Sequence, residues 1–581
     1  MNKFGFIRVA AAVPTVAVAD TRTNCHHICS LIESAVDKQV SLLVFPDLCI
    51  TGSTCGDLFY QRLILEEARQ AVEDIADFCK GLPITVVVGA PISDGGRPVN
   101  CSIVINDGQI LDSVPKGGNG LFEIDGARFS FDCHPDSHIV VLPSADIQDM
   151  SSGLRLRKNL IAASSLDACA YIYCNAGFGE STTDSVYSGY SAITENGIML
   201  AEGSWNSMEP QLVIADVDIQ EIEHERAGDG NFEDAAQQGG VLSILNPDTD
   251  FGKKLMRPTL CYNFDYSDEA LDSAAAIQAT GLATRLSKIN CKKAIIGISG
   301  GLDSTLALLC TVRAFDRLGL DRKGITGITM PGFGTSERTH SNASALMAEL
   351  GISSREIDIT AACRQHLHDI GHDGVTQDTA YENAQARERT QILMDVANAE
   401  NAIVVGTGDL SELALGWCTY NGDHMSNYSV NASIPKTLVR AMTSRAAATD
   451  FSDGKTAGIL RDIIATPVSP ELKGSGRAIE QKTEDLIGPY ELHDFFIWNM
   501  IGSAFTPEKT IFLACNAFKG RFTKTEIKKW MAVFTGRFFS QQFKRSCAPD
   551  GPKVTPVSLS PRNGWNMPSD VSASLYRDNI K

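Results

Sequence analysis

Ser299-Gly300-Gly301-Leu302-Asp303-Ser304 limits what this chain can fold into more than any other stretch. Before it, Ala294-Ile295-Ile296-Gly297-Ile298 reads as a strand buried on both faces, and from Thr305 to Ala314 the pattern reads as a helix. A Gly/Ser turn from a buried strand into a helix N-terminus aims backbone N–H groups and the positive end of the helix dipole at an anion. The glycines let a phosphate approach the backbone, and Ser299, Ser304 and Thr305 add hydroxyl donors. Asp303 would repel that phosphate unless a divalent cation lay between them. The loop lacks the Gly-Lys-Ser/Thr ending of a Walker A loop. Strand and helix patterns alternate from here to about residue 410, which implies a doubly wound parallel sheet with the loop at the carboxyl end of a strand.

The length of 581 residues calls for two or more domains. Residues 1–245 alternate short apolar runs (Phe4–Val16, Leu42–Pro46, Ile84–Gly89, Ser102–Ile105, Ile139–Leu142, Ala170–Cys174) with helical patterns over Cys25–Asp37 and Gln61–Cys79. Residues 246–266, with Pro247, Gly252 and Pro258, read as a linker, and 267–581 as a second domain. Within that domain 475–545 reads as mostly helical and 546–581 as an irregular tail. The net charge of −19 argues against nucleic acid or an anionic membrane as partner, so an anionic ligand must meet a local basic pocket. Sixteen cysteines without CxxC pairs suit a reduced, cytoplasmic protein. No apolar run reaches the roughly 18 residues of a membrane span. The apolar segment 9–19 is broken by Pro14 and abutted by Arg8, and it reads as part of a first buried strand.

The nucleotide loop resembles the pyrophosphate-binding signature of the N-type ATP pyrophosphatases. Thr329-Met330-Pro331-Gly332-Phe333-Gly334-Thr335-Ser336, Tyr381-Glu382-Asn383-Ala384-Gln385-Ala386-Arg387 and Val405-Gly406-Thr407-Gly408-Asp409-Leu410-Ser411-Glu412 resemble NAD synthetase in particular. Lys544-Arg545-Ser546-Cys547 and Leu559-Ser560-Pro561-Arg562 resemble its glutamine-dependent form. The resemblance implies ATP-dependent amidation of nicotinic acid adenine dinucleotide through an adenylate, releasing AMP and pyrophosphate, with nitrogen from ammonia or glutamine. It implies ATP contacts from Ser299, Gly300, Gly301, Asp303, Ser304, Met330, Thr407, Lys436 and Lys544, and dinucleotide contacts from Asn383, Arg387 and Asp423. Asp303 and Glu412 are implied as ligands of Mg2+, and homo-oligomers are usual among such proteins. Asp409 and Ser411 read as caps of the helix that follows them. Asn383 and Arg387, four apart, share a helix face. Two other readings stand beside this one: another adenylate-forming amidotransferase of the same superfamily, such as a GMP synthetase relative, and a non-catalytic paralogue that assembles with an active synthetase.

Residues 1–245 resemble the nitrilase-like glutaminase domain of the same enzymes, an αββα sandwich carrying a Glu–Lys–Cys set. Its candidates here are Asp47 as base, Lys116 and Cys133 as nucleophile. Asp47 stands where the family has Glu, one methylene and roughly 1–1.5 Å short. Gly117-Gly118-Asn119-Gly120 replaces the start of a much longer loop, Ser53 stands in place of a Tyr, and Asp132 competes with Cys133 for the nucleophile register. Cys133, His134 and His138 have no fourth ligand at zinc spacing. The domain is either a glutaminase with an altered triad or a remnant beside an ammonia-using synthetase, and the departures favour the remnant.

Overall fold

The computed structural model describes residues 5–124, 126–134, 136–228, 263–333, 337–466 and 483–580. They fall into two compact units, one of residues 1–148, 152–181 and 186–249, the other of 149–151, 182–185 and 250–581. The expected linker over 246–266 lies almost wholly outside the described residues, as does Gly334-Thr335-Ser336.

The first unit holds two six-stranded sheets. One contains β1 (Phe6–Val13), β2 (Leu42–Val44), β3 (Thr85–Asp94), β4 (Arg97–Asn106) and β5 (Gln109–Pro115). The other contains β6 (Leu121–Ile124), β7 (Ala127–Ser130), β8 (Ile139–Ser144), β9 (Ala170–Asn175), β10 (Ser191–Glu195) and β11 (Ile198–Glu202). β12 (Gln211–Asp218) then returns to pair antiparallel with β1. β1 explains the layering. Ile7, Val9, Ala11 and Val13 meet Ile139, Val141, Ile172 and Ile193 of the other sheet. Their alternates Ala10 and Ala12 join the cluster that includes Ile28, Ile32, Ala68 and Val72 of the helices Thr21–Asp37 and Arg62–Phe78. A period of two that is apolar on both phases requires cover on both faces, and the helix Ser152–Leu166 covers the second sheet through Leu160. This is the expected αββα sandwich. β4 and β5 turn at Asp107 and Gly108, both with positive φ, as a two-residue hairpin requires.

In the second unit β13 (Ala294–Gly297), β14 (Ile325–Thr329), β15 (Ser353–Glu356), β16 (Ile403–Gly406) and β17 (Tyr428–Ser429) form one sheet in the order β15-β14-β13-β16-β17. Every pairing is parallel. The order reverses between β13 and β16, so a crevice opens beyond their carboxyl ends. The helix Asp268–Lys288, capped by Ser267, starts where the helical pattern resumes in the sequence. Residues 483–545 are helical around Phe495, Phe496, Phe534 and Phe538. Among the described residues no helix is long and apolar enough to cross a membrane.

His493 lies fully buried in this aromatic cluster, 6.0 Å from the Phe534 ring, with Nε2 2.8 Å from the Ile487 carbonyl. Burial pushes its pKa down to about 4. The unfolded chain therefore binds this proton first as pH falls, and stability is lost from about pH 6.5 to 4. We expect wild type to lose about 3 kcal/mol relative to His493→Gln across that window, read from denaturant melts of both proteins at each pH. A pH-independent difference between the two would contradict the buried neutral imidazole.

Candidate active site

A cleft of about 860 Å3 lies beyond the carboxyl ends of β13, β14 and β16. Ser299, Gly300, Gly301, Asp303, Ser304, Met330, Asn383, Thr407, Glu412, Asp423, Lys436 and Lys544 all line it. The loop after β13 turns at Gly300, φ +84°, where an added Cβ would sit 2.2 Å from the Thr339 carbonyl oxygen. The Gly301 N–H donates to Ser299 Oγ at 3.1 Å, and Ser304 Oγ donates to the Gly301 carbonyl at 3.2 Å. Gly301 caps the helix Leu302–Arg317, whose positive end faces the cleft. Asn431 Nδ2 donates to the backbone carbonyls of Asp303 (2.9 Å) and Thr407 (3.1 Å), tying the loop after β13 to the loop after β16.

Three carboxylates converge at the helix start. Lys436 Nζ lies 2.7 Å from Asp303 Oδ2, 2.6 Å from Asp409 Oδ2 and 3.0 Å from Glu412 Oε1. One oxygen from each acid lies within 4.8 Å of the others. Asp409 and Glu412 form a reciprocal capping box on the helix Leu410–Leu415, which explains their spacing. Burial, with Asp303 adding repulsion and Lys436 opposing, pushes Glu412 up to about 7. Burial likewise drives Asp409 well above the usual carboxylate range, with Lys436 opposing. Burial alone would lower the Lys436 ammonium, but the three acids hold it well above its usual value. Tyr490 adds its ring, 5.3 Å from Nζ. Behind the cluster, buried Asp494 accepts from Ser411 Oγ (2.5 Å), Thr437 N (2.9 Å) and Thr437 Oγ1 (2.7 Å), and this fixes the start of the helix Lys436–Ala448.

At the other end of the cleft Asn383 Oδ1 accepts from Thr419 Oγ1 at 2.8 Å, and Asp423 Oδ1 accepts from Thr419 N at 2.6 Å. Lys544 Nζ donates to the carbonyls of Gly416 and Cys418, each at 2.7 Å, and burial lowers its pKa. Neighbouring Arg545 is buried and donates to the Leu413 and Ala414 carbonyls, so this pair of cations caps the end of the helix Leu410–Leu415. Arg387 departs from expectation. Asn383, Ala386, Thr390 and Leu393 form the cleft-facing stripe of the helix Thr379–Glu400, and Arg387 lies outside it, with its guanidinium 3.3 Å from the Tyr420 carbonyl. Arg389 lines the cleft instead, and its Nε donates to the Met330 carbonyl at 3.1 Å.

In the first unit Asp47 and Lys116 form an ion pair, and Lys116 Nζ also donates to the Pro143 carbonyl at 3.0 Å. Cys133 does not join them, which corrects the expected triad. It is exposed, and the groups acting on its thiol are Asp167, Asp132 and Tyr171. The chain turns away after β7, where Ser130 Oγ donates to the Asp132 carbonyl. Glu180 is buried and accepts from the N–H groups of Ser53 (2.7 Å) and Thr54 (3.1 Å).

The comparisons with known proteins fit this geometry. Residues 276–534 match the NAD synthase family and residues 8–117 the carbon-nitrogen hydrolase family. The chain is 33% identical to the glutamine-dependent NAD(+) synthetase of Mycobacterium bovis, over 99% of this chain and 98% of that protein. The chain belongs to the glutamine-dependent NAD(+) synthetase family. The relative of that name from Aquifex aeolicus is 24% identical over 95% of this chain and 97% of its own length. The crystal structure of a glutamine-dependent NAD(+) synthetase from Cytophaga hutchinsonii has the same fold, with a TM-score of 0.78 at 18% identity, covering 99% of this chain and 100% of that one.

Against the Mycobacterium bovis NAD(+) synthetase the alignment runs over 665 positions, more than the 581 residues here, so this member of the family lacks segments of its relative. The carbon-nitrogen hydrolase match takes in Asp47 and Lys116 and stops before Cys133. Sequence reasoning missed Asn431, Arg389, Tyr490 and the ionic part played by Asp409. Arg389 lies two residues beyond the Tyr381–Arg387 motif, whereas Asn431 lies in none of the motifs above and Tyr490 comes from the helical region and carries no local pattern.

Proposed function

We propose that this chain amidates nicotinic acid adenine dinucleotide to NAD, consuming ATP and releasing AMP and pyrophosphate, with ammonia or glutamine as nitrogen source. One observation carries the reading: a phosphate-type loop and an acid–lysine cluster share one cleft at the switch point of a parallel sheet, in a chain that matches its synthetase relatives end to end. The dinucleotide carboxylate attacks the α-phosphorus of ATP, pyrophosphate departs, and ammonia displaces AMP from the mixed anhydride.

In this reading the Gly300–Gly301 loop and the helix start behind it bind the departing pyrophosphate. Met330 meets the adenine through its backbone, and Arg389 holds the Met330 carbonyl in place. Thr407 and Lys544 contact ATP, while Asn383 and Asp423 orient the dinucleotide, with Arg387 bracing the Tyr420 segment from outside the cleft. Lys436 carries positive charge toward the phosphates. The three convergent carboxylates, with Asp303 Oδ1 buried and without a hydrogen-bond partner, fit Mg2+, an ion that takes hard oxygen ligands. Asp303, Asp409 and Glu412 would hold it, and bound there it would neutralise triphosphate charge. The cysteines among the described residues are unpaired, which suits a reducing cytoplasm.

The test is the purified full chain with ATP, Mg2+ and ammonium chloride, offered either the dinucleotide or xanthosine monophosphate. NAD, AMP and pyrophosphate are expected in equal amounts. Amidation of xanthosine monophosphate instead would place the chain with the GMP synthetases, and no turnover of either acid would favour the non-catalytic paralogue.

A further inference from the structure

The first unit decides between the two nitrogen sources left open above, and this step rests on the amidation reading. A cysteine amidase needs a thiolate within hydrogen-bond reach of its base and close to a cation that lowers the thiol pKa. Among the described residues the structure supplies a base and a cation without such a thiol. Asp47 is buried, and its ion pair with Lys116 is anchored by the bond from Lys116 to the Pro143 carbonyl. Pro143 pairs with Cys174 near the carboxyl end of β9. Cys133 lies beside Asp167 and Cys169, which precede Ala170 at the opposite end of that strand, where it pairs with Ile139. Four residues of strand separate the two places, about 13 Å.

The surroundings of Cys133 also have the wrong sign. Its pKa is raised by partial desolvation, and Asp167 and Asp132 raise it further. Among the described residues two thiols lie near Asp47, and neither is poised to act. Cys49 is fully buried, donates to the Gly89 carbonyl at 3.7 Å and is pushed up to about 12 by burial. Cys174 is fully buried and donates to the Ala12 carbonyl at 3.3 Å.

We infer that the nitrilase-like unit of this chain hydrolyses no glutamine and that the synthetase takes ammonia itself as its nitrogen donor. The lone pair of ammonia forms the C–N bond at the adenylate carbonyl, and the carbon–oxygen bond to AMP breaks. AMP leaves as its anion, and the nitrogen gives up one proton to water. No acyl-enzyme and no second nucleophile enter the sequence.

Two measurements on the full chain test this. In the first, NAD and glutamate are read with saturating ammonium chloride or with saturating ammonia-free glutamine. Ammonium is expected to support NAD formation at least about 100-fold faster than glutamine, with no glutamate released. In the second, the protein is incubated with a glutamine analogue bearing a diazoketone in place of the amide, and its intact mass is recorded; no adduct is expected. Comparable NAD rates from the two donors, or glutamate release lost in Cys133→Ala, Cys49→Ala or Cys174→Ala, would overturn the inference, as would an adduct on any of these thiols. NAD from neither donor would overturn the amidation reading, and the use of ammonia with it. An unlabelled protein that releases no glutamate would still support the loss of hydrolysis in that case.

Discussion

Asp303→Ala and Glu412→Ala are each expected to reduce NAD formation by at least about 10^3-fold, roughly 4 kcal/mol of transition-state stabilisation, without unfolding the protein. The two halves of that expectation share one cause. Three carboxylates surround a single ammonium at 2.6–3.0 Å, so the cluster carries more negative charge than Lys436 cancels. Burial and mutual repulsion already raise Asp409 and Glu412. Removing one acid relieves repulsion and still leaves Lys436 paired with two. The melting temperature should therefore hold or rise while turnover collapses, the trade expected where a site is built for a ligand. Lys436→Met should behave in the opposite way, because it leaves three acids buried without a counter-charge, and it should destabilise by about 3–5 kcal/mol. NAD formation at saturating substrates and calorimetric melts of all three variants make the comparison. Near-normal turnover in either acid variant would refute its place at the triphosphate.

The synthetase half of the fold was legible in the sequence because its signals are local. A parallel strand buried on both faces, a Gly/Ser turn and a helix follow one another within Ala294–Ala314, and β13 with the helix Leu302–Arg317 lies where that reading puts them. The nitrilase-like half was legible for strands that are apolar throughout, such as β8 and β9. It was illegible for β5, whose exposed residues hide the run. At the site, Asp303 and Glu412 lie in recognisable motifs, but Lys436 reads only as an ATP contact and Asp409 as a cap. Only folding shows that 133 residues of chain separate two ends of one ion pair. Arg387 was misplaced because a four-residue spacing fixes a shared helix face without fixing which stripe of that face meets the cleft. The position of Cys133 could not be read at all, since it depends on where the chain turns after β7.

Gly300→Ala is expected to remove most activity through the backbone alone. The new methyl would lie 2.2 Å from the Thr339 carbonyl oxygen and 2.8 Å from its carbon, both main-chain atoms that cannot rotate aside. The residue also holds φ +84°, a region that disfavours any Cβ. Together these effects should cost about 2–4 kcal/mol of stability, with the loop or the Thr339 segment displaced to relieve the contact. A displacement of about 1 Å in a phosphate-binding turn is enough to lower kcat/KM for ATP by roughly 100-fold. Gly319→Ala provides the control. Gly319 holds φ +61° with nothing within 4 Å of an added Cβ, so its variant suffers backbone strain without a clash. It should lose about 1 kcal/mol of stability and keep its ATP kinetics. Steady-state rates against ATP concentration for both variants, paired with denaturant melts, separate the two causes. Full ATP kinetics in Gly300→Ala would mean that the turn after β13 does not carry the phosphates, and the anion would have to be bound elsewhere in the cleft.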